Sequence, residues 1–290
     1  MYAPLSAPPR QLPIQTRLVV LFSGIVQQMG WGFFAFGMIF FWVFFMQSEA
    51  KYWFSFTRWE QTQGTIAAIT PTNAAVNDDL MYKVRFTYEV AGQPYEADSY
   101  VAGLAYSPDE AVPVEYDAGS PAVARVAGTQ REIFPGFVAF VLIFPLVGLI
   151  MAVVSMRNNM RSLDLIANGK AARGRLISKE PTNTRINEQM VYAYTFAFEA
   201  EEDGQTYHAK AKTHIRSLLE DEDQELLIYA PAQPSYAVMY DAIPGAPQID
   251  VHGYFVPVPV VRMWVLLLPV VAFFMSGGGY LVRLLIQEAM

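Results

Sequence analysis

Tyr82-Lys83-Val84-Arg85-Phe86-Thr87-Tyr88-Glu89-Val90 alternates without a break, and Tyr192-Ala193-Tyr194-Thr195-Phe196-Ala197-Phe198-Glu199 repeats the pattern later in the chain. A period of two puts Tyr82, Val84, Phe86, Tyr88 and Val90 on one face and Lys83, Arg85, Thr87 and Glu89 on the other, which is the signature of a half-buried strand. The aromatic face is core. Working outward, Gly92 in one stretch and Asp203-Gly204 in the other supply a positive-φ turn, so each strand closes a hairpin with the segment that follows.

The match extends well beyond these strands. Gly64-Thr65-Ile66 corresponds to Gly174-Arg175-Leu176, and Pro71-Thr72-Asn73 to Pro181-Thr182-Asn183. Gly92-Gln93 and Tyr95 correspond to Gly204-Gln205 and Tyr207, and Tyr116 and Pro121 to Tyr229 and Pro234. Register held over so many positions marks an internal repeat. A late pair, Val112 to Tyr116 then Pro121 to Val126, recurs as Leu226 to Tyr229 then Ser235 to Met239, so each copy is expected to be a small antiparallel domain of about five strands, a sandwich or partly open barrel.

Both copies resemble the bacterial domain-of-unknown-function family numbered 3592, through Gly64, Tyr88, Gly92, Tyr95, Tyr116 and Pro121 and their partners Gly174, Phe198, Gly204, Tyr207, Tyr229 and Pro234. The resemblance implies membrane-anchored β-domains and supplies no catalytic residues. Two copies separated by one apparent span depart from the simplest same-side arrangement.

The remainder is strongly apolar. Hydrophobic residues make up 53% of the 290, above the usual share of a soluble domain. The excess lies in three runs, each long enough to cross a hydrocarbon core of about 30 Å. The expected organisation is a cytosolic tail over 1–17, a transmembrane helix over 18–47, the first β-domain over 48–132, a second helix over 133–156, the second β-domain over 157–261 and a third helix over 262–287. The fold class is therefore a membrane protein of mixed α and β structure. The first run is read as an anchor and not a cleaved signal, because it contains Gln27 and Gln28 and has no small-x-small exit before Glu49.

Charge sets the expected direction. Arg157, Arg161, Lys170, Arg173, Arg175 and Lys179 follow the second run, whereas only Arg125 and Arg131 closely precede it. With Arg10 and Arg17 ahead of the first run, the N-terminus and second β-domain are expected in the cytosol of a bacterial inner membrane, and the first β-domain outside. A net charge of −7 excludes a nucleic-acid partner, and the absence of cysteine removes disulfides and thiolate chemistry.

Residues with chemical promise are few. His208 and His214 lie an even number of residues apart, but Lys210 and Lys212 intervene and no third ligand is spaced to join them, so no metal is expected. Glu220-Asp221-Glu222-Asp223 lacks the central glycine of a calcium loop. Ser276-Gly277-Gly278-Gly279 lies in an apolar helix with no Lys-Ser or Lys-Thr after it, which argues for helix packing or a hinge near Pro269 over a phosphate cradle. In the first run Ser23, Gly30 and Gly37 recur every seven residues, with Gly24 beside them, forming a face on which another helix is expected to dock. Gln27 and Gln28 flank that face as interhelix hydrogen-bonding groups.

No cofactor and no catalytic residue are expected, and the chain is read as a non-enzyme. Its expected role is that of a scaffold or accessory subunit, with membrane lipids, other integral subunits or a second copy as partners. The alternatives are a channel or transporter component, for which Gln27, Gln28 and the glycine break in the third span are the candidates, and a membrane-bound hydrolase, which the missing Cys, scarce His and the lack of a G-x-S-x-G elbow disfavour.

Overall fold

The computed structural model describes residues 5–186, 188–215, 219 and 224–289, with side chains through Tyr280. Two compact units make up the chain: Met1–Phe33 with Val147–Phe273, and Phe34–Leu146 with Phe274–Met290. Each contains one five-stranded antiparallel sheet.

In the second of these units the strands are β1 (Trp59–Val76), β2 (Asp79–Val90), β3 (Gln93–Ala102), β4 (Ala111–Asp117) and β5 (Ser120–Val126), in the order β3-β2-β1-β4-β5. The sheet curls until its outer strands β3 and β5 meet. Val84, Phe86 and Tyr88 are buried with Ile66, Val112, Val114 and Val126, so the expected inward face is correct. Strand β1 serves two partners: Trp59 to Thr65 pair with β4 and Gly64 to Val76 with β2. At the overlap a Cβ on Gly64 would stand 2.6 Å from Val114 Cγ2 and 2.7 Å from the Thr87 carbonyl oxygen. Only glycine fits there. The Ala91-Gly92 turn has positive φ at both residues, as a two-residue hairpin requires.

The other sheet repeats this topology in β6 (Lys170–Ile186), β7 (Gln189–Glu199), β8 (Thr206–Thr213), β9 (Glu225–Ala230) and β10 (Gln233–Met239). Even the irregularities recur. Register shifts fall at Ile66/Ala68 and Pro71/Ala75 in one copy and at Leu176/Ser178 and Pro181/Arg185 in the other. The Pro-Thr-Asn triplet explains the second shift. Thr72 Oγ1 donates to the Met81 carbonyl at 2.8 Å and accepts from the Ala74 N–H, and Thr182 makes the same pair of bonds with Val191 and Thr184. A threonine hydroxyl thus supplies the hydrogen bonds that the bulged ladder loses.

Helices α1 (Ile14–Phe22), α2 (Ile25–Val43), α3 (Ile143–Asn168) and α4 (Val260–Ala289) complete the chain. Among the described residues three helical segments are long and apolar enough to cross a membrane: Ile25–Gln47, Gly136–Asn168 and Val260–Tyr280.

Several boundaries differ from the expected ones. The first run is two helices, broken where Gly24 takes φ +97°. The second helix extends to Asn168, because Leu165 and Ile166 continue its apolar pattern and pack beneath Leu226 and Ile228 of β9. The segment expected as a tail is built into the same unit: Leu12 is buried there, and Arg10 donates to the carbonyls of Ile166 and Gly169, both at 2.8 Å. A cation on the last carbonyls of α3 answers both their unmet hydrogen bonds and the helix dipole. Burial pulls the Arg10 guanidinium below its ordinary pKa.

In the other unit the two chain segments leading to and from the sheet are tied together. Ser48 and Phe134 form a parallel bridge, and the Glu49 carboxylate accepts the backbone N–H groups of Arg131 and Glu132. The Arg131 guanidinium lies over the Tyr52 ring at 3.7 Å, and Tyr52 donates to Glu132 at 2.7 Å. Burial first, then that carboxylate, raises the Tyr52 pKa.

Candidate functional site

The most concentrated polar chemistry in an apolar setting surrounds the break between α1 and α2. Ending α1 at Phe22 leaves backbone carbonyls without helical donors. Side-chain amides meet them. Asn159 Nδ2 of α3 donates to the Leu21 carbonyl at 2.9 Å and the Ser23 carbonyl at 3.1 Å. Gln28 Nε2 donates to the Phe22 carbonyl at 2.6 Å and reaches α4 at the Leu266 carbonyl, 2.9 Å away. Gln28 therefore links the end of α1 to α4. Ser23 and Asn159 are buried, and Gln27 is completely so, with neither atom of its amide hydrogen-bonded among the described residues.

The small face of α2 meets α3 of the same chain. A Cβ on Gly30 would fall 2.6 Å from the Ala152 backbone nitrogen and 3.1 Å from the Gly148 carbonyl. One on Gly37 would strike the backbone of Pro145 and Phe144. The expected docking partner of this face is thus intramolecular, because glycines here let two backbones touch where any side chain would hold them apart. Gly24 serves the turn and has open space around it.

Helix α4 is different. Pro269 lies within it without ending it, and among the described residues no atom beyond the helix's own backbone lies within 4 Å of where a Cβ would stand on Gly277, Gly278 or Gly279. Its contacts include a stack of Tyr280 on Trp42 at 4.5 Å and a tilted pair of Phe273 with Trp31 at 6.2 Å. Val261, Trp264, Leu268, Phe274 and Met275 are exposed, and no residue of the apolar stretch Val260–Tyr280 is buried.

The β-sheets carry paired surface charge. Lys83 and Arg85 on β2 meet Asp98 on β3 at 2.6 and 3.1 Å, and Lys170 meets Glu201 and Glu202 at 3.1 and 2.9 Å. His208 is exposed on β8 beside Lys210 and Lys212, and His214 follows the strand end. Among the described residues no three His, Asp or Glu side chains gather as metal ligands. Glu220 to Asp223 lie outside the described residues.

Three features escaped the sequence reading. Asn159 lies past the expected end of the second run, in Arg157-Asn158-Asn159-Met160-Arg161, where nothing in the sequence marks it as buried. The Ser23-Gly24 pair was read as packing surface, although Ser-Gly inside a helical pattern is also a stop signal. The third is β9, where Leu226-Leu227-Ile228-Tyr229 is continuous and not alternating, the mark of a strand covered on both faces.

Comparison with protein-family models, curated proteins and solved structures returned no match.

Proposed function

We propose that this chain is a multi-pass scaffold or accessory subunit of a bacterial inner membrane, crossing three times and docking laterally through α4. The observation that carries the reading is the unburied apolar surface of α4 beside the open Gly277–Gly279 backbone. Such a surface is at home in lipid or against another helix, and small residues favour the latter. The face of α2 around Gly30 and Gly37 is already occupied by α3, so docking moves from the first span to the third.

The same reading places the N-terminus and the β6–β10 sheet in the cytosol and the β1–β5 sheet outside. It draws on the basic residues that follow the second span, and on the packing of Leu12 and Arg10 within the unit of the β6–β10 sheet, which calls for one side for both. Membership in the family numbered 3592 belongs to this proposal and rests on the repeated glycines and tyrosines. A channel role would be favoured by the broken first helix, since discontinuous helices commonly expose ion-binding carbonyls. Here Asn159 and Gln28 already occupy those carbonyls, which favours the scaffold.

Purification of the full chain in mild detergent tests the reading. An assembly larger than one chain is expected, and Gly278→Leu should dissolve it while leaving the chain folded. A monodisperse wild-type monomer would overturn the proposal.

A further inference from the structure

A cavity of about 340 Å³ in the β6–β10 unit is lined by Tyr240, Asp241 and Gln248 together with apolar side chains, whereas one of about 310 Å³ in the β1–β5 unit is walled mainly by apolar residues. Phe40 and Phe44 close it from the end of α2, and Phe134, Phe137 and Phe140 from the segment before α3. Its third wall is the tip of the β1–β2 hairpin, Ala75-Val76-Asn77. Among the described residues no charged side chain lines it, so an anionic or cationic solute finds no partner in them.

The hairpin tip itself departs from the repeat. Ala74, Ala75 and Val76 correspond to Thr184, Arg185 and Ile186 in the other copy, so apolar residues stand where the second copy has a threonine and an arginine. Close by in the same unit, Trp53 abuts Gly136, and Phe54 and Phe56 are 91% and 104% exposed. Rings so bare are costly in water, yet they are the usual anchors at the headgroup level of a bilayer.

We propose that this end of the β1–β5 unit is a lipid-contact surface: the hairpin tip and the loop through Phe56 enter the leaflet, and the cavity holds one phospholipid acyl chain. The proposal rests on the membrane-spanning reading above, because two of the three walls belong to, or adjoin, the apolar segments Ile25–Gln47 and Gly136–Asn168. A hydrocarbon chain is the occupant that matches phenylalanine walls, absent charge and continuity with surfaces that already face acyl chains.

The chain has no native cysteine, so single cysteines can carry an environment-sensitive nitrobenzoxadiazole label. Val76→Cys, Ile186→Cys in the other copy and Val265→Cys, on the side of the third span away from Gly278 and exposed, would each be labelled in the full chain and reconstituted into phosphatidylcholine vesicles with or without brominated acyl chains. The label at position 76 should shift to the blue and lose most of its emission to brominated lipid, as should that at 265, while that at 186 keeps an aqueous spectrum. Quenching at 265 with an aqueous, unquenched label at 76 would overturn this proposal and leave the spanning reading intact. A blue-shifted but unquenched label at 76 would mean that protein covers the cavity, which also overturns it. No quenching at 265 would remove the spanning reading and this proposal with it.

Discussion

The two sheets share topology, register shifts and a threonine-patched bulge, yet one has a wet outer face and the other is covered on both sides. Strand β4 alternates, with Val112 and Val114 buried and Ala111 and Pro113 exposed. Its counterpart β9 is buried from Glu225 to Tyr229. Matched through Tyr116 and Tyr229, Pro113 and Glu115 of β4 become Leu226 and Ile228 of β9, which pack on Leu12, Leu165 and Ile166. Two outward-facing positions therefore separate a free sheet from one docked on helices. The inward face preserves the fold, and the outward face is free to diverge with each copy's surroundings.

Exchanging these outward residues should produce the largest effect. Ile228→Glu removes a buried aliphatic side chain and buries an unpaired carboxylate, together about 5 kcal/mol or more, enough to prevent folding of that unit. The reciprocal Glu115→Ile loses only the partly exposed pair with Arg125 at 2.8 Å, worth about 1 kcal/mol or less. Thermal unfolding of the detergent-solubilised chain compares them. Equal losses would mean that the two outer faces are equivalent after all.

Next in size, Phe86→Ala and Phe196→Ala should each cost about 3 to 5 kcal/mol, because each deletes a completely buried ring from the same core position. Both should act alike if the inward faces are truly shared. A large gap between their unfolding midpoints would break the equivalence.

A finer contrast lies at the shared glycine. A Cβ at Gly64 meets the fixed Thr87 carbonyl at 2.7 Å, whereas at Gly174 its closest neighbour is the movable Leu227 Cδ2 at 2.8 Å. Gly64→Ala should cost about 2 kcal/mol and Gly174→Ala about 1 kcal/mol. The reverse order in denaturant midpoints would contradict the steric explanation.

Much of this was legible in sequence because it is local. The alternation around Phe86 and Phe196, the turns at Gly92 and Gly204 and the repeat itself follow from period and turn chemistry. What was not legible depends on partners far along the chain. Arg10 looks like a topogenic charge until α3 ends beside it, and Gly30 like an external docking face until Ala152 fills it. Arg157 and Arg161 resemble a loop in sequence, whereas Leu165 and Ile166 carry α3 on to β9. The continuous apolar run of β9 was the available clue that something covers it.

The proposed topology has one repeated sheet serving two environments, with a single membrane crossing between the copies. Ser107 and His208 are both exposed, one on each copy, and can be replaced singly by cysteine. In intact cells a membrane-impermeant maleimide should label Ser107→Cys and reach His208→Cys only after the membrane is opened; labelling of both in intact cells would contradict the account.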